Sequence, residues 1–160
     1  MRLLIPGPFE PTLKFRYTVF TSKLPFSMFY ARSAEQPSAD NSPVEVAHQN
    51  GSFYVKGKTK WEPISLQFYQ FENMTINEVW MYFQQHQLVR DARDYANAFY
   101  KHDMRLTILR PDELPMGTWT LYGAFYESVK FGDMDRGAES EIAEVTATIR
   151  YDYATYKPLI

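Results

Sequence analysis

The side chains with the most chemical potential gather in one stretch of this 160-residue chain, FGDMDRGAESEIAEVTATIRYDYA, from Phe131 to Ala154. Asp133, Asp135, Glu139, Glu141 and Glu144 fall within it, and carboxylates at that density are the ligands a hard cation prefers. Asp133-Met-Asp135 followed by Arg136-Gly137 approaches a calcium loop. That pattern needs a carboxylate or amide where Gly137 stands, so it fails. Two readings remain for the stretch: a solvated turn, or a charged contact with another subunit.

The other candidates dissolve in the same way. His48, His86 and His102 lie far apart, with none of the short spacings that let two histidines share a metal. They are expected on solvated or helix surfaces. Lys56-Gly-Lys-Thr-Lys60 contains the letters of a phosphate loop, but the first glycine of that motif would fall on Ser52. Pro63 and a strand pattern follow it, where a phosphate loop would open a helix. The lysines are therefore a solvated loop or a basic contact to an acidic neighbour. The chain has no cysteine, which removes disulfides, thiolate metal sites and a thiol nucleophile. No G-x-S-x-G elbow is present. Neither catalysis nor a cofactor nor a metal is expected.

Composition narrows the remaining classes. Hydrophobic residues at 45% and charged residues at 22% fit one folded domain over residues 1–160. A net charge of −2 supplies no basic field for holding nucleic acid. Aromatics at 17% favour strands, where such side chains pack on a pleated surface. Few Lys or Arg interleave with them, so they read as core and not as a stacking platform for bases. The N-terminal MRLLIPGPFEP is too short in its apolar run for a signal peptide, and no run approaches a membrane helix, so no membrane anchoring is expected.

The positioning elements follow from periodicity. Residues 1–12, with Pro6, Pro8 and Pro11, read as an extended N-terminal arm. Strands with period-two alternation are expected at Leu13–Val19, Phe26–Ala31, Ile64–Tyr69, around Leu106 and Ile108, and through Trp119, Leu121 and Phe125. Residues 33–43 read as a polar loop, Val44–His48 and Phe53–Val55 as a short hairpin, and Arg110–Gly117 as a turn. Gly123 marks a bulge or a close backbone approach. One helix is expected from Thr75 to about Leu88: Thr75 and Glu78 form a capping box, and Ile76, Val79, Trp80 and Phe83 make one apolar stripe. The last strand is the most regular. Val145, Ala147, Ile149, Tyr151 and Tyr153 should share a core face, with Glu144, Thr146, Thr148, Arg150 and Asp152 opposite. Unbroken from Ile142 to Ala154, it would extend ~40 Å.

In order and spacing, Lys58-Thr-Lys-Trp-Glu-Pro63, Leu106-Thr-Ile-Leu109, Gly123-Ala-Phe125, Phe131-Gly-Asp-Met-Asp135 and Arg150-Tyr-Asp152 resemble the tail tube proteins of contractile-tailed bacteriophages. The likeness covers most of residues 13–154. It implies a mainly β fold, a β-sandwich or half-barrel flanked by one helix, whose strands join those of neighbours in a ring-shaped β-barrel. Six copies would form a ring, and rings would stack into a tube inside a contractile sheath. The tube would meet sheath, baseplate initiator and terminator outside, and pass tape measure protein and DNA through its lumen. Such a particle is a virion tail, assembled in the host cytoplasm. The resemblance leaves three subtypes open: major tube subunit, baseplate-proximal initiator, or tube of a phage-like injection particle.

Carried onto this chain, the resemblance makes residues 36–61 an extended inter-ring loop and 155–160 a C-terminal extension. Lys56, Lys58, Lys60, Trp61, Asp133, Asp135 and Arg136 become candidate contacts between subunits. Glu144, Thr146, Thr148, Arg150 and Asp152 become the candidate lumen face. The rival reading is a small-ligand-binding β-barrel with an aromatic-lined pocket.

Overall fold

Alternation of apolar and polar residues turns into strands almost wherever it occurs. The computed structural model describes residues 14, 16–21, 31–69, 100–137 and 141–159. Within them run β1 (Tyr17–Thr21), β2 (Ala31–Ala34), β3 (Ala39–His48), β4 (Gly51–Trp61), β5 (Ile64–Tyr69), β6 (His102–Leu109), β7 (Pro115–Phe131), β8 (Glu144–Arg150) and β9 (Tyr153–Pro158). The expected strand at Phe26–Ala31 lies outside the described residues up to Tyr30, as do the N-terminal arm and the helix expected from Thr75 to Leu88.

Seven strands form one antiparallel sheet in the order β1-β6-β7-β8-β5-β2, with β9 also paired to β7. The sheet curls, and its edge strands β1 and β2 come close enough for the Tyr17 hydroxyl to reach the Ala31 carbonyl at 3.5 Å. No backbone ladder joins those edges, so among the described residues the sheet does not close into a barrel. The concave side is the core. Ile64, Leu66 and Phe68 from β5 meet Val145, Ala147 and Ile149 from β8, with Val19, Met104, Leu106 and Leu121 completing the cluster. All are essentially fully buried, and each except the small Ala147 contributes ~1.5–3 kcal/mol relative to exposure.

β7 organises this arrangement. It is 17 residues long, three times an ordinary strand. Its first half lies between β6 and β9, and its second half pairs with β8. β8 and β9 follow one another along the same side of β7, so residues 144–158 form nearly one long antiparallel partner.

The ladder is interrupted twice, by a bulge at Glu127 between Tyr126 and Ser128 and by a sharper break between β8 and β9. The unbroken strand expected through Ala154 instead bends at Tyr151-Asp152, opposite Gly123. Gly123 has φ +63°, a conformation that L-residues adopt only with strain, and a Cβ there would lie 2.2 Å from the Asp152 carboxylate. The Asp152 amide donates to the Tyr122 carbonyl at 2.9 Å and holds the corner. The bend shifts the alternation by one residue. Tyr151 is buried as expected, but Tyr153 turns out to solvent and Ala154 takes the inward position. The period of a strand is two, so a single extra residue suffices to exchange the faces.

Three further expectations are corrected. Residues 33–43 are not a loop throughout, because β2 extends to Ala34 and β3 begins at Ala39. The turn before β7 ends at Leu114, and Pro115–Gly117 already belong to the strand. Most of the supposed C-terminal extension is β9, tied to β7 from Tyr153 to Pro158.

Gly123→Ala should lower the stability of the unassembled chain by ~1–2 kcal/mol from the left-handed backbone alone, with the crowding at Asp152 added. Urea unfolding should show a reduced midpoint at unchanged slope; an unaltered midpoint would refute the positive-φ hinge. Burial raises the Tyr151 phenol above its ordinary 10.0, and burial raises Tyr17 likewise. The neutral form is favoured in the fold, so this contribution is complete below pH 10.0 and is lost as pH rises through the raised values. Stability measured from pH 8 to 12 should therefore fall at the alkaline end, and Tyr151→Phe should flatten that fall.

Candidate assembly surface

The convex side of β5, β8 and β7 carries the residues expected to line a lumen. Residues directly opposite in an antiparallel ladder share a face. The register sets Ser65 and Ser128 on either side of Thr148, and Gln67 and Lys130 on either side of Thr146. Ser33 extends the second row by donating to Gln67 Oε1 at 3.0 Å. Glu144, Thr146, Thr148 and Arg150 thus do share one half-exposed face. Asp152 does not continue it. It sits in the bend, where Lys101 Nζ donates to both its oxygens at 2.8 and 2.9 Å.

Charge on this face is largely cancelled in place. Arg150 donates two hydrogen bonds to Glu127, at 3.0 and 3.2 Å, and Arg32 pairs with Glu144. The bond to Glu127 also raises the Arg150 pKa, so its charge is permanent. Exposed pairs of this kind add little stability. Their effect is electrostatic: the face is hydroxyl- and amide-rich with no dominant sign.

The second surface is the β3–β4 hairpin. Its strands run in register from Ala39↔Trp61 to His48↔Gly51, and among the described residues they pair with no other strand. At ~3.4 Å per residue it projects ~30 Å. The short hairpin expected at Val44–Val55 is therefore the tip of a much longer one, which occupies the expected inter-ring loop. Pro43 lacks an amide, and a bulge there absorbs the break in register. Gly57 lies opposite: a Cβ at that position would come within 2.0 Å of the Ser42 carbonyl oxygen.

At the root, Trp61 packs its ring against Tyr151, with centroids 5.9 Å apart, and the Glu62 amide donates to Ser38 O at 3.1 Å. Trp61 thus serves its own subunit's core. Lys56, Lys58 and Lys60 are exposed along β4, and among the described residues none forms an ion pair. The apolar face of the tip was not anticipated. Val44, Val46, Phe53 and Val55 lie on one side, between 37% and 51% exposed. The signal was present as Val44-Glu-Val46 facing Phe53-Tyr-Val55, one alternation reflected in the next.

The third surface is the acidic corner between β7 and β8. Asp133, Asp135 and Arg136 are exposed, and Asp135 Oδ1 accepts the Gly137 amide at 2.9 Å. Asp133, Met134, Asp135, Glu141 and Ile142 line an open cleft of about 810 Å³, together with the paired Arg32 and Glu144. Among the described residues no group of acids and histidines is placed to hold a metal ion. Of the histidines, His48 is exposed at the hairpin tip, and His86 lies outside the described residues. His102 is buried at 6% exposure beside Tyr126, contrary to the surface position expected for it.

Comparison with solved structures follows from this architecture. A chain from the tube-terminating cap of the anti-feeding prophage superposes with a TM-score of 0.77, over 96% of this chain and 95% of that one, at 17% identity. A chain of the sheath–tube complex of an extracellular contractile injection system, in its extended state, gives 0.75 over 93% of both chains, also at 17% identity. The chain shares its fold with tube components of contractile injection systems. Hcp1 from Flavobacterium johnsoniae is more distant, with a TM-score of 0.53 and 13% identity over 90% of this chain and 96% of that one. No family model matches the sequence, and no curated protein matches it. At these identities the likeness is one of fold.

Because the hairpin pairs only with itself among the described residues, replacing residues 43–56 by Asn-Gly should leave the rest of the sheet intact. The unfolding midpoint in urea should move by the equivalent of less than ~1 kcal/mol, the scale of a surface change. A collapse of the cooperative transition would show that the hairpin belongs to the core.

Proposed function

We propose that the chain is a structural, non-enzymatic tube subunit of a contractile particle. The observation that carries this reading is the shared fold over more than nine-tenths of the chain, on a subunit that leaves a long hairpin without a partner. Rings of six copies stack into a tube within a contractile sheath, and strands of adjacent subunits complete a barrel that one subunit leaves open. Symmetric closure of that kind removes sheet edges that would otherwise invite aggregation.

In this reading residues 1–160 act as one tube domain. The β3–β4 hairpin, with Lys56, Lys58 and Lys60, meets the adjacent ring, and the corner of Asp133, Asp135 and Arg136 is an intersubunit contact. Thr146, Thr148 and Arg150, with Glu144, line the lumen. A hydroxyl-rich face with paired charges lets a polyanion such as DNA, or a tape measure protein, slide without sticking, since every phosphate neutralised adds affinity. The tube starts at a baseplate initiator, ends at a terminator, and sits inside a sheath. The particle is a tail assembled in the host cytoplasm, belonging to a phage or to a phage-like injection system. The small-ligand barrel loses its support, because the described strands enclose no barrel interior.

Purified protein should form rings or tubes by negative-stain microscopy, with sedimentation in multiples of a six-subunit ring. A stable monomer at high concentration would argue against the proposal. The chain has no cysteine of its own, so Thr148→Cys gives a clean probe of the lumen. In assembled tubes it should react with a small maleimide and be shielded from a maleimide carried on a large protein. Equal access to both reagents would place this face outside.

A further inference from the structure

The hairpin tip and the acidic corner have complementary deficiencies. The tip exposes four apolar side chains on one face, Val44, Val46, Phe53 and Val55. A two-stranded hairpin on its own is marginally stable in water, so this one needs a surface to lie on. β4 also carries Lys56, Lys58 and Lys60 with no acidic residue anywhere between Gly51 and Trp61. The corner holds two strongly exposed apolar side chains, Met134 at 76% and Ile142 at 61%. They stand in the 810 Å³ cleft among Asp133, Asp135 and Glu141, and among the described residues none of these acids forms an ion pair.

We infer that the hairpin tip of one copy seats in the β7–β8 cleft of a second copy, with Val44, Val46, Phe53 and Val55 against Met134 and Ile142 and the β4 lysines against the acidic rim. This rests on the tube-subunit reading and names the surface that receives the hairpin. The occupant is another copy because, among the described residues, neither hairpin strand pairs with any other strand, and the charges of hairpin and cleft are complementary. The charges are opposite in sign, the β4 lysines against the cleft lined by Asp133, Asp135 and Glu141. Apolar contact supplies the affinity, and the charges fix register and exclude wrong partners. The lysines are spread over both faces and the bulge, which suits a hairpin inserted between two acidic walls better than one laid flat on a single wall.

The absence of native cysteine allows a direct test. Phe53→Cys and Ile142→Cys are made in separate full-length chains of distinguishable mass, mixed under assembly conditions and oxidised. A mixed disulfide dimer, in excess over either self-linked product, is expected. Reversing the lysines (K56E, K58E, K60E) or the acids (D133K, D135K, E141K) should each cut that yield by about tenfold, three surface pairs' worth. Combining the two sets, one on each chain, should restore it. Circular dichroism of each variant separates lost docking from lost folding, and Phe53→Cys paired with Thr120→Cys, on a different strand, serves as the unlinked control.

If rings or tubes form but the 53–142 link is absent, or the charge reversals leave it unchanged, the docking site is wrong while the tube reading stands. If the chain remains a monomer and no link forms, both are overturned. Linking of Phe53→Cys to itself alone would assign the tip to a symmetric tip-to-tip contact and refute the cleft.

Discussion

Everything in this fold depends on the single ladder between β7 and the collinear pair β8–β9. A strand of 17 residues cannot stay flat, because twist accumulates along it and its two ends must serve differently oriented parts of one curled sheet. The positive φ of Gly123 and the opposed bend at Asp152 absorb that turn at one point. Upstream, β7 supports β6 and β1; downstream, through β8, it supports β5 and β2. The core forms where the two halves curve toward each other. The hinge therefore determines which residues are core and which are surface: moving it by one residue would turn Val145, Ala147 and Ile149 outward and expose the threonines to the interior.

The same ladder shapes the candidate lumen. β8 is central, hydrogen-bonded on both sides, so its outward side chains sit on a rigid row. Thr146 and Thr148 are β-branched and stiff, and they are flanked by the uncharged Ser65, Gln67 and Ser128 and by Lys130. Arg150 is met within the same face by Glu127 and Arg32 by Glu144, which leaves Lys130 as the charge not cancelled by a neighbour among the described residues. Pairing across strands couples these residues to the register. Any slip would separate the partners and leave bare charges on the wall.

How much of this was legible depended on the range of the interactions involved. Period-two alternation located β5, β6 and β8 and separated the faces of β8, because a half-buried strand imposes that pattern residue by residue. Gly123 was visible as an irregularity but its consequence was not. That a bend there would exchange the faces beyond Tyr151 depends on Asp152 lying opposite, a pairing nearly thirty residues away in sequence. The hairpin was shortened in the sequence reading for a similar reason. Asn41, Ser42, Pro43 and Gly57 look like loop residues, and only cross-strand pairing with a bulge makes them strand. His102 was misplaced because a lone histidine between Lys101 and Asp103 looks solvated, whereas its register opposite Ala124 puts it inside.

The unsatisfied parts of the subunit are not scattered. Among the described residues the hairpin lacks a neighbouring strand, the β7–β8 corner exposes apolar side chains among unpaired acids, and the curled sheet leaves β1 and β2 unjoined by backbone bonds. In a protein that functions alone, each would be a cost: a marginal hairpin, an exposed apolar cleft, an aggregation-prone edge. In a repeating assembly each is one half of an interface whose other half lies on the next copy. Folding and assembly are then separated by construction. The β7-centred core folds from contacts within the chain, and the hairpin is already paired with itself while its outer faces are left uncovered among the described residues. On the proposed tube-subunit reading, control of assembly resides in these exposed elements, leaving the core free to be stable.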